Sequence, residues 1–307
     1  MGSRRDYTLC GRGSCKQATI SCVTGRTSRV GRHLPTSGGL RKTLKIAEEW
    51  GCEAVQIFVS NPQGWAVPGS RPDAAAFREG AAGLCPVVVH AKYLINLATR
   101  REDHWQKSAE ALAAEVRLAA SLGADFVVFH PGSAGASGGA GALERAARGV
   151  ARVLELAGGV ETELVIENSA GAGTQLCADF ASLGELARKS GLRVCVDTAH
   201  AHVAGYDLSV PENVPAFMEE LEENVGLKRV ALLHLNDAKN PAGSRRDGHR
   251  RIGEGRIPLG SWRELFAALP GVPLVMETPY STPEVNIRQI RLVKELAGGL
   301  PIVAARV

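Results

Sequence analysis

Six short apolar runs in this chain each end in a histidine or a carboxylate, and this repetition constrains the fold more than any single motif. The runs are Pro86–Val89 before His90, Phe126–Phe129 before His130 and Leu164–Ile166 before Glu167. They continue with Val194–Val196 before Asp197, Val230–Leu233 before His234 and Leu274–Met276 before Glu277. Apolar runs of this length, separated by helical periodicity, read as strands of a parallel sheet buried on both faces. A titratable group at the carboxyl end of strand after strand directs all of them to one mouth. Imidazoles and carboxylates together are the ligand set of hydrolytic metal centres.

The intervening sequence sets the number of units. Strands are predicted at Arg29–Leu34, Ala54–Ser60, Val87–His90, Phe126–His130, Leu164–Glu167, Arg193–Asp197, Val230–Leu235 and Pro273–Glu277. Helices are predicted at Gly38–Trp50, Pro72–Gly80, Arg101–Leu122, Ala140–Leu156, Ala178–Lys189, Val214–Glu223, Trp262–Leu269 and Pro283–Leu296. Eight strand-then-helix units give the count of a single (β/α)8 TIM barrel, an α/β fold with its chemistry at the carboxyl ends of the strands. A doubly wound open sheet is the rival, but its site sits at one switch point and does not draw groups from so many strands.

A length of 307 residues suits one barrel, and the composition, 45% hydrophobic and 22% charged, is that of an ordinary globular protein. No apolar stretch approaches the roughly 18 residues of a membrane span. No apolar h-region follows Arg4 and Arg5, so a cytoplasmic location is expected. Residues 1–27 are basic and without clear period, and read as a poorly ordered extension or a misassigned start, with a transit peptide as the minority reading. The barrel domain would span 28–307. Residues 1–32 hold seven Lys/Arg against Asp6 alone, a charge of +6; the remaining 29 basic and 31 acidic residues leave −2. Such a body does not grip nucleic acid by general electrostatics, and any such binding must rely on local arginines and bound metal charge. The seven cysteines include no C-x-x-C pair and read as reduced, mostly buried thiols.

The chain has eight histidines: His33, His90, His104, His130, His200, His202, His234 and His249. One histidine beside a core strand is most often structural, but independent structural histidines have no reason to share a face. Asp197-x-x-His200 and Asp247-x-His249 each offer a carboxylate and an imidazole after a strand. Glu167 and Glu277 end apolar strands, where an unpaired charge is costly and multivalent cations resolve that cost. Nine ligands exceed one tetrahedral zinc and suit two or three metals. A retaining glycosidase would use two of the carboxylates but leave the histidines without a task. His104, among Glu102, Asp103 and Trp105, is expected to be solvated or capping, and His202 to neighbour the site without being a ligand.

At these residues the chain resembles the endonuclease IV family of apurinic/apyrimidinic endonucleases, over roughly residues 29–300. The specific stretches are His90-Ala91-Lys92-Tyr93-Leu94-Ile95-Asn96-Leu97, His130-Pro131-Gly132-Ser133 and Val165-Ile166-Glu167-Asn168-Ser169-Ala170-Gly171. They continue with Asp197–Asp207, His234-Leu235-Asn236-Asp237-Ala238-Lys239, Asp247-x-His249 followed by Gly253 and Gly255, and Glu277-Thr278-Pro279. Several long motifs in order are specific where any one is weak.

The resemblance implies a site of three Zn2+, with Mn2+ in part as the alternative. His90, His130 and Glu167 would hold the first ion. Glu167 would bridge to a second, completed by Asp197, His234 and Glu277, and His200, Asp247 and His249 would hold the third. It implies hydrolysis of the phosphodiester 5′ to an abasic site in duplex DNA, leaving a 3′-hydroxyl, and removal of 3′ blocks, by a monomer. The metals would activate water and neutralise phosphate charge, with Glu167 and Glu277 as the catalytic carboxylates. The abasic nucleotide would leave the duplex to reach the site.

The departures from the family lie in its DNA contacts. Gln63 stands where the family has a wedging arginine, Gly248 where it often has Arg, and Ala172 where a polar residue is usual. Trp65 is expected to stack on a base in part compensation, with Tyr93 the next candidate, and Arg245, Arg246, Arg250 and Arg251 to bind phosphates. A sugar isomerase or epimerase of the same barrels and a noncatalytic zinc-containing damage-binding protein are the alternatives.

Overall fold

The structure, a computed structural model, describes residues 28–298 apart from 68, 136–138 and 140. The expected extension over residues 1–27 lies outside the described residues. The chain runs β1 (Val30–His33), α1 (Leu40–Trp50), β2 (Ala54–Ile57), α2 (Ala74–Gly80), β3 (Val87–His90), α3 (Glu102–Ser121) and β4 (Phe126–Phe129). It continues α4 (Ala142–Ala157), β5 (Glu163–Glu167), α5 (Phe180–Ser190), β6 (Arg193–Asp197), α6 (Thr198–Ala204), α7 (Val214–Asn224) and β7 (Val230–Leu235). A two-residue hairpin of β8 (Asp237–Ala238) and β9 (His249–Arg250) precedes α8 (Leu259–Ala268), β10 (Leu274–Met276) and α9 (Pro283–Ala297). Eight strands close a barrel in the order β1-β10-β7-β6-β5-β4-β3-β2, every pair parallel. This is the TIM barrel that the sequence predicts.

Strands β2, β3 and β4 are buried at every position, because helices cover one face and the barrel closes over the other. Helix α4 shows why the outer ring forms. It buries Ala142, Ala146, Gly149, Val150, Val153 and Ala157, a stripe at helical spacing, and Gly158 ends it in the left-handed region. The barrel's interior is a separate cluster of mostly apolar residues: Ala54, Val88, Phe126, Val128, Val165, Cys195, Ala231, Leu232 and Val275. Each fully buried Val or Leu contributes roughly 1.5–3 kcal/mol by leaving water.

Two loops depart from the sequence reading. Thr198–Ala204, within an expected loop, is a short helix, because Asp197 caps it by accepting from His200 N at 2.8 Å. The loop after β7 is ordered as the β8–β9 hairpin. Among the described residues Cys52, Cys177 and Cys195 are buried free thiols as expected, whereas Cys85 is disulfide-bonded and departs from the expectation. Arg32, counted with the basic N-terminal stretch, lies inside β1 and is fully buried.

Candidate metal centre

The two-residue period of a strand builds the site. Val88, Val128, Val165, Cys195, Leu232 and Val275 face the barrel interior. The residue two positions on projects to the same side one step nearer the mouth, which places His90, His130, Glu167, Asp197, His234 and Glu277 together above an apolar floor. Ala54 relates to Gln56 in the same way. The apolar runs and their terminal polar residues are thus two levels of one stack.

Glu167 is the centre. Its Oε2 lies 3.2 Å from His90 Nε2 and 3.4 Å from His130 Nε2, and its Oε1 lies 2.9 Å from His234 Nδ1 and 3.4 Å from His200 Nδ1. One fully buried carboxylate therefore faces four imidazoles. Glu277 Oε2 lies 3.3 Å from His234 Nδ1. Three groups have ligand atoms within 4.8 Å of one another: His90, His130 and Glu167; Glu167, Asp197, His234 and Glu277; and Asp197, His200 and His249. Asp247 falls outside the third compact group, in which Asp197 stands. It still places Oδ1 3.1 Å from His249 Nε2 and 3.5 Å from His200 Nε2.

Neighbouring polar groups fix how these side chains point. His90 Nδ1 sits 2.7 Å from Ala91 O, which makes that nitrogen the donor and leaves Nε2 toward Glu167. His234 Nε2 meets Gln56 Oε1 at 2.8 Å, and Gln56 Nε2 donates to Glu277. Asn236 Nδ2 donates to Asp197 at 2.6 Å and to Glu277 at 3.2 Å. Asn168 Oδ1 accepts from Asp197 N at 2.6 Å. Gln56, Asn168 and Asn236 escape the sequence reading as site residues, although the two asparagines lie inside the quoted motifs. His33 reads in the sequence only as a strand end. It lies 3.8 Å from Glu277, and its Nδ1 accepts from Gln56 Nε2 at 3.0 Å.

The electrostatics are those of acids and imidazoles crowded together out of water. Burial opposes charge on His234 and His200, yet the surrounding acidic groups hold both imidazoles well above their ordinary range, with Asp197 foremost for His200. Burial likewise opposes charge on Glu167 and Glu277, yet the facing imidazoles, His130 and His234 for Glu167 and His234 for Glu277, hold both below the ordinary carboxylate range. His130 goes the other way, burial pushing it down to about 4. The buried atoms Glu167 Oε2 and His130 Nδ1 make no hydrogen bond. Glu167 Oε2, turned toward His90 and His130 in a buried pocket, and the imidazole nitrogens around it are the oxygen and nitrogen atoms that divalent cations take as ligands.

A cleft of about 300 Å³ opens over the groups. Tyr93, at its rim, is 60% exposed, and its ring meets Phe58 and His90 edge to face. Gln63, Arg245, Arg246 and Arg250 are exposed. Two expected DNA contacts are engaged elsewhere. Trp65 is half-buried, with His104 edge-on at 5.2 Å and Lys107 4.7 Å above its ring, so a base has no open face of the kind Tyr93 offers. Arg251 pairs doubly with Glu254, at 2.9 and 2.8 Å. His104 is correspondingly not a solvated or capping residue but a packing partner of Trp65. His202 is fully buried outside the three groups, accepting from Leu208 N at 3.2 Å.

A closed parallel barrel with three groups of candidate metal-ligating side chains at its carboxyl face defines the class, and the family described as a xylose isomerase-like TIM barrel matches residues 44–296. A "Probable endonuclease 4" of Haloarcula marismortui is 38% identical over 88% of this chain and 99% of its own length. The crystal structure of endonuclease IV from Thermus thermophilus superposes with a TM-score of 0.79 at 35% identity, covering 88% of this chain and 99% of that one. The chain belongs to the endonuclease IV family of AP endonucleases. A D-tagatose 3-epimerase-like protein, at 19% identity and a TM-score of 0.69 over 88% of this chain and 98% of that one, shares the fold. No helix among the described residues is long and apolar enough to cross a membrane.

Proposed function

We propose that this protein is a zinc-dependent endonuclease that hydrolyses the phosphodiester 5′ to an abasic site in duplex DNA, leaving a 3′-hydroxyl, and that clears blocked 3′ ends. The single observation that carries the reading is Glu167, fully buried, facing four imidazoles and shared by two of the three ligand groups. His90, His130 and Glu167 would hold one ion, and Glu167, Asp197, His234 and Glu277 a second. His200, His249 and Asp247 would hold the third, with Asp197 close enough to share in it. Bound there, divalent cations supply an acidified water and neutralise charge on the phosphate and on the departing oxygen.

The chain's own residues do the rest. Glu167 and Asp197 are fully buried, whereas Glu277 borders the cleft. Glu277 is therefore the carboxylate placed to orient the attacking water and take its proton. Gln56 and Asn236 hold Glu277 from both sides, which fixes its direction without neutralising it. Water adds to phosphorus as its proton passes to Glu277, the bond to the 3′ oxygen breaks, and that oxygen takes a proton from solvent to become the hydroxyl. Tyr93 and Gln63 would line the path of the lesion strand, and Arg245, Arg246 and Arg250 would meet phosphates.

An isomerase of the same barrel class has no use for the third group, and a noncatalytic zinc site is usually closed and cysteine-rich. Metal analysis of the purified protein, paired with cleavage of a duplex carrying a tetrahydrofuran abasic analogue, tests the reading. Three ions per chain and a single cut 5′ to the analogue are expected. One tightly held ion, or no cut, would overturn it.

A further inference from the structure

Arg32 is fully buried in β1, yet no carboxylate among the described residues pairs with it. A buried guanidinium without an acid is costly unless other contacts hold it. Its contacts all lead to one place. Nη2 donates to Thr278 O at 2.6 Å and Nη1 to Thr278 Oγ1 at 3.3 Å. The guanidinium lies 4.7 Å from the Tyr280 ring centroid and 5.8 Å from that of Trp50. Trp50 meets Tyr280 at 6.2 Å, and the Tyr280 hydroxyl donates to His33 O. The segment that follows Glu277 is thereby tied down at its backbone, its ring and its hydroxyl.

What is held this firmly is nevertheless open to solvent. Tyr280 is 48% exposed, one of four exposed large hydrophobic residues among those described, and it lines the cleft with Tyr93. Tyr93 follows β3 and Tyr280 follows β10, and β1 and β2 stand between them in the barrel order. Two exposed rings therefore flank one sector of the mouth. A ring needs no buried cation beneath it to face water. It needs one to present a fixed face to a flat partner, and cation–π contact from behind supplies that.

We propose that Tyr280 is a second stacking contact for the DNA, taking the face of a nucleobase beside the abasic position, and that Arg32 is the positioning residue that holds it. The inference rests on the function proposed above and extends it. The partner is a base because stacking on tyrosine needs a planar π-face and tolerates every base.

The test uses the full-length, metal-loaded protein and a duplex with a tetrahydrofuran analogue, 2-aminopurine being placed in turn at the neighbouring positions. Wild type is expected to quench one position on binding. Tyr280→Ala should abolish that quenching at saturating protein and weaken binding about tenfold, with metal content unchanged. Tyr280→Phe, which keeps the ring, should restore the quenching and most of the affinity. Arg32→Met should weaken binding in the wild-type background and not in the Tyr280→Ala background. Unaltered quenching and binding within twofold of wild type in Tyr280→Ala would overturn the stacking contact. An equal effect of Arg32→Met in both backgrounds would overturn the link between the two residues. If Tyr280→Ala binds normally while wild type still cuts 5′ to the analogue, the inference alone falls. If wild type neither binds nor cuts, the proposed function falls with it.

Discussion

Glu167 Oε1 and His234 Nδ1 meet at 2.9 Å although neither side chain is exposed to solvent. They come from β5 and β7, with only β6 between them, and each sits two residues beyond an interior apolar residue, Val165 and Leu232. A buried acid and a buried imidazole brought together this way form a site that must hold either protons or cations.

That choice sets a pH dependence. His200 and His234 titrate above their unfolded range, so their stabilisation is full below about pH 6.5 and is lost as pH rises through their folded values. His130, pushed down to about 4, opposes this below pH 6.5, while Glu167 and Glu277, pushed down, stabilise above their unfolded range. Zinc needs the imidazoles unprotonated. Added zinc should therefore raise the melting temperature more at pH 8 than at pH 6. Melting curves of EDTA-treated protein with and without zinc decide it, and a smaller rise at pH 8 would refute the expectation.

Glu277→Gln keeps the shape of the side chain and removes its charge. Cleavage should fall by about a thousandfold, roughly 4 kcal/mol, while binding to the abasic analogue stays within a few fold. Single-turnover cleavage beside an anisotropy titration measures both, and wild-type cutting would remove Glu277 from the chemistry.

Asp237 accepts from Gly253 N, Gly255 N and Ile257 N, each at 2.9 Å, at the base of the hairpin that carries Asp247 and His249. Asp237→Ala would leave three backbone donors unpaired, at a cost of roughly 2–4 kcal/mol. Bound metal should drop from three ions to two. Retention of all three would show that the hairpin holds its shape without this carboxylate.

Trp65→Ala should lower stability by about 2 kcal/mol through lost packing, with only slight loss of DNA affinity. Tyr93→Ala should weaken binding about tenfold and leave the melting temperature unchanged. This reverses the order that sequence alone suggests for Trp65, and comparing anisotropy with thermal melting for the two variants checks it.

The strands and the convergence of the candidate ligands are legible because a strand has a strict two-residue period. An apolar residue in the barrel and a polar residue two positions on are visible in any run such as Val88-Val89-His90. The partners of those ligands are not legible. Gln56 lies in a strand with no titratable end, and nothing in Ala54-Val55-Gln56-Ile57 says that its amide will join His234 to Glu277. Trp65 reads as a free aromatic because its neighbours His104 and Lys107 come from a helix some forty residues on. Arg32 reads as one more basic residue near the start, since no local pattern tells a surface arginine from one enclosed by Trp50, Thr278 and Tyr280. Asp197 is legible as a candidate ligand but not as the helix cap that aims His200.

The β8–β9 hairpin stands apart from the barrel in one respect. Its two strands pair only with each other, and Asp237 pins its base to three backbone donors beyond it, where Arg256 N also donates to Ala238 O at 3.0 Å. The first two ligand groups draw on strand ends and on nothing in the hairpin, whereas Asp247 and His249 ride on it. On the proposed function the mouth would be a fixed vessel with an add-on: lengthening, shortening or losing one loop would change its capacity for cations without moving a strand, so the number of metals would be inherited separately from the fold.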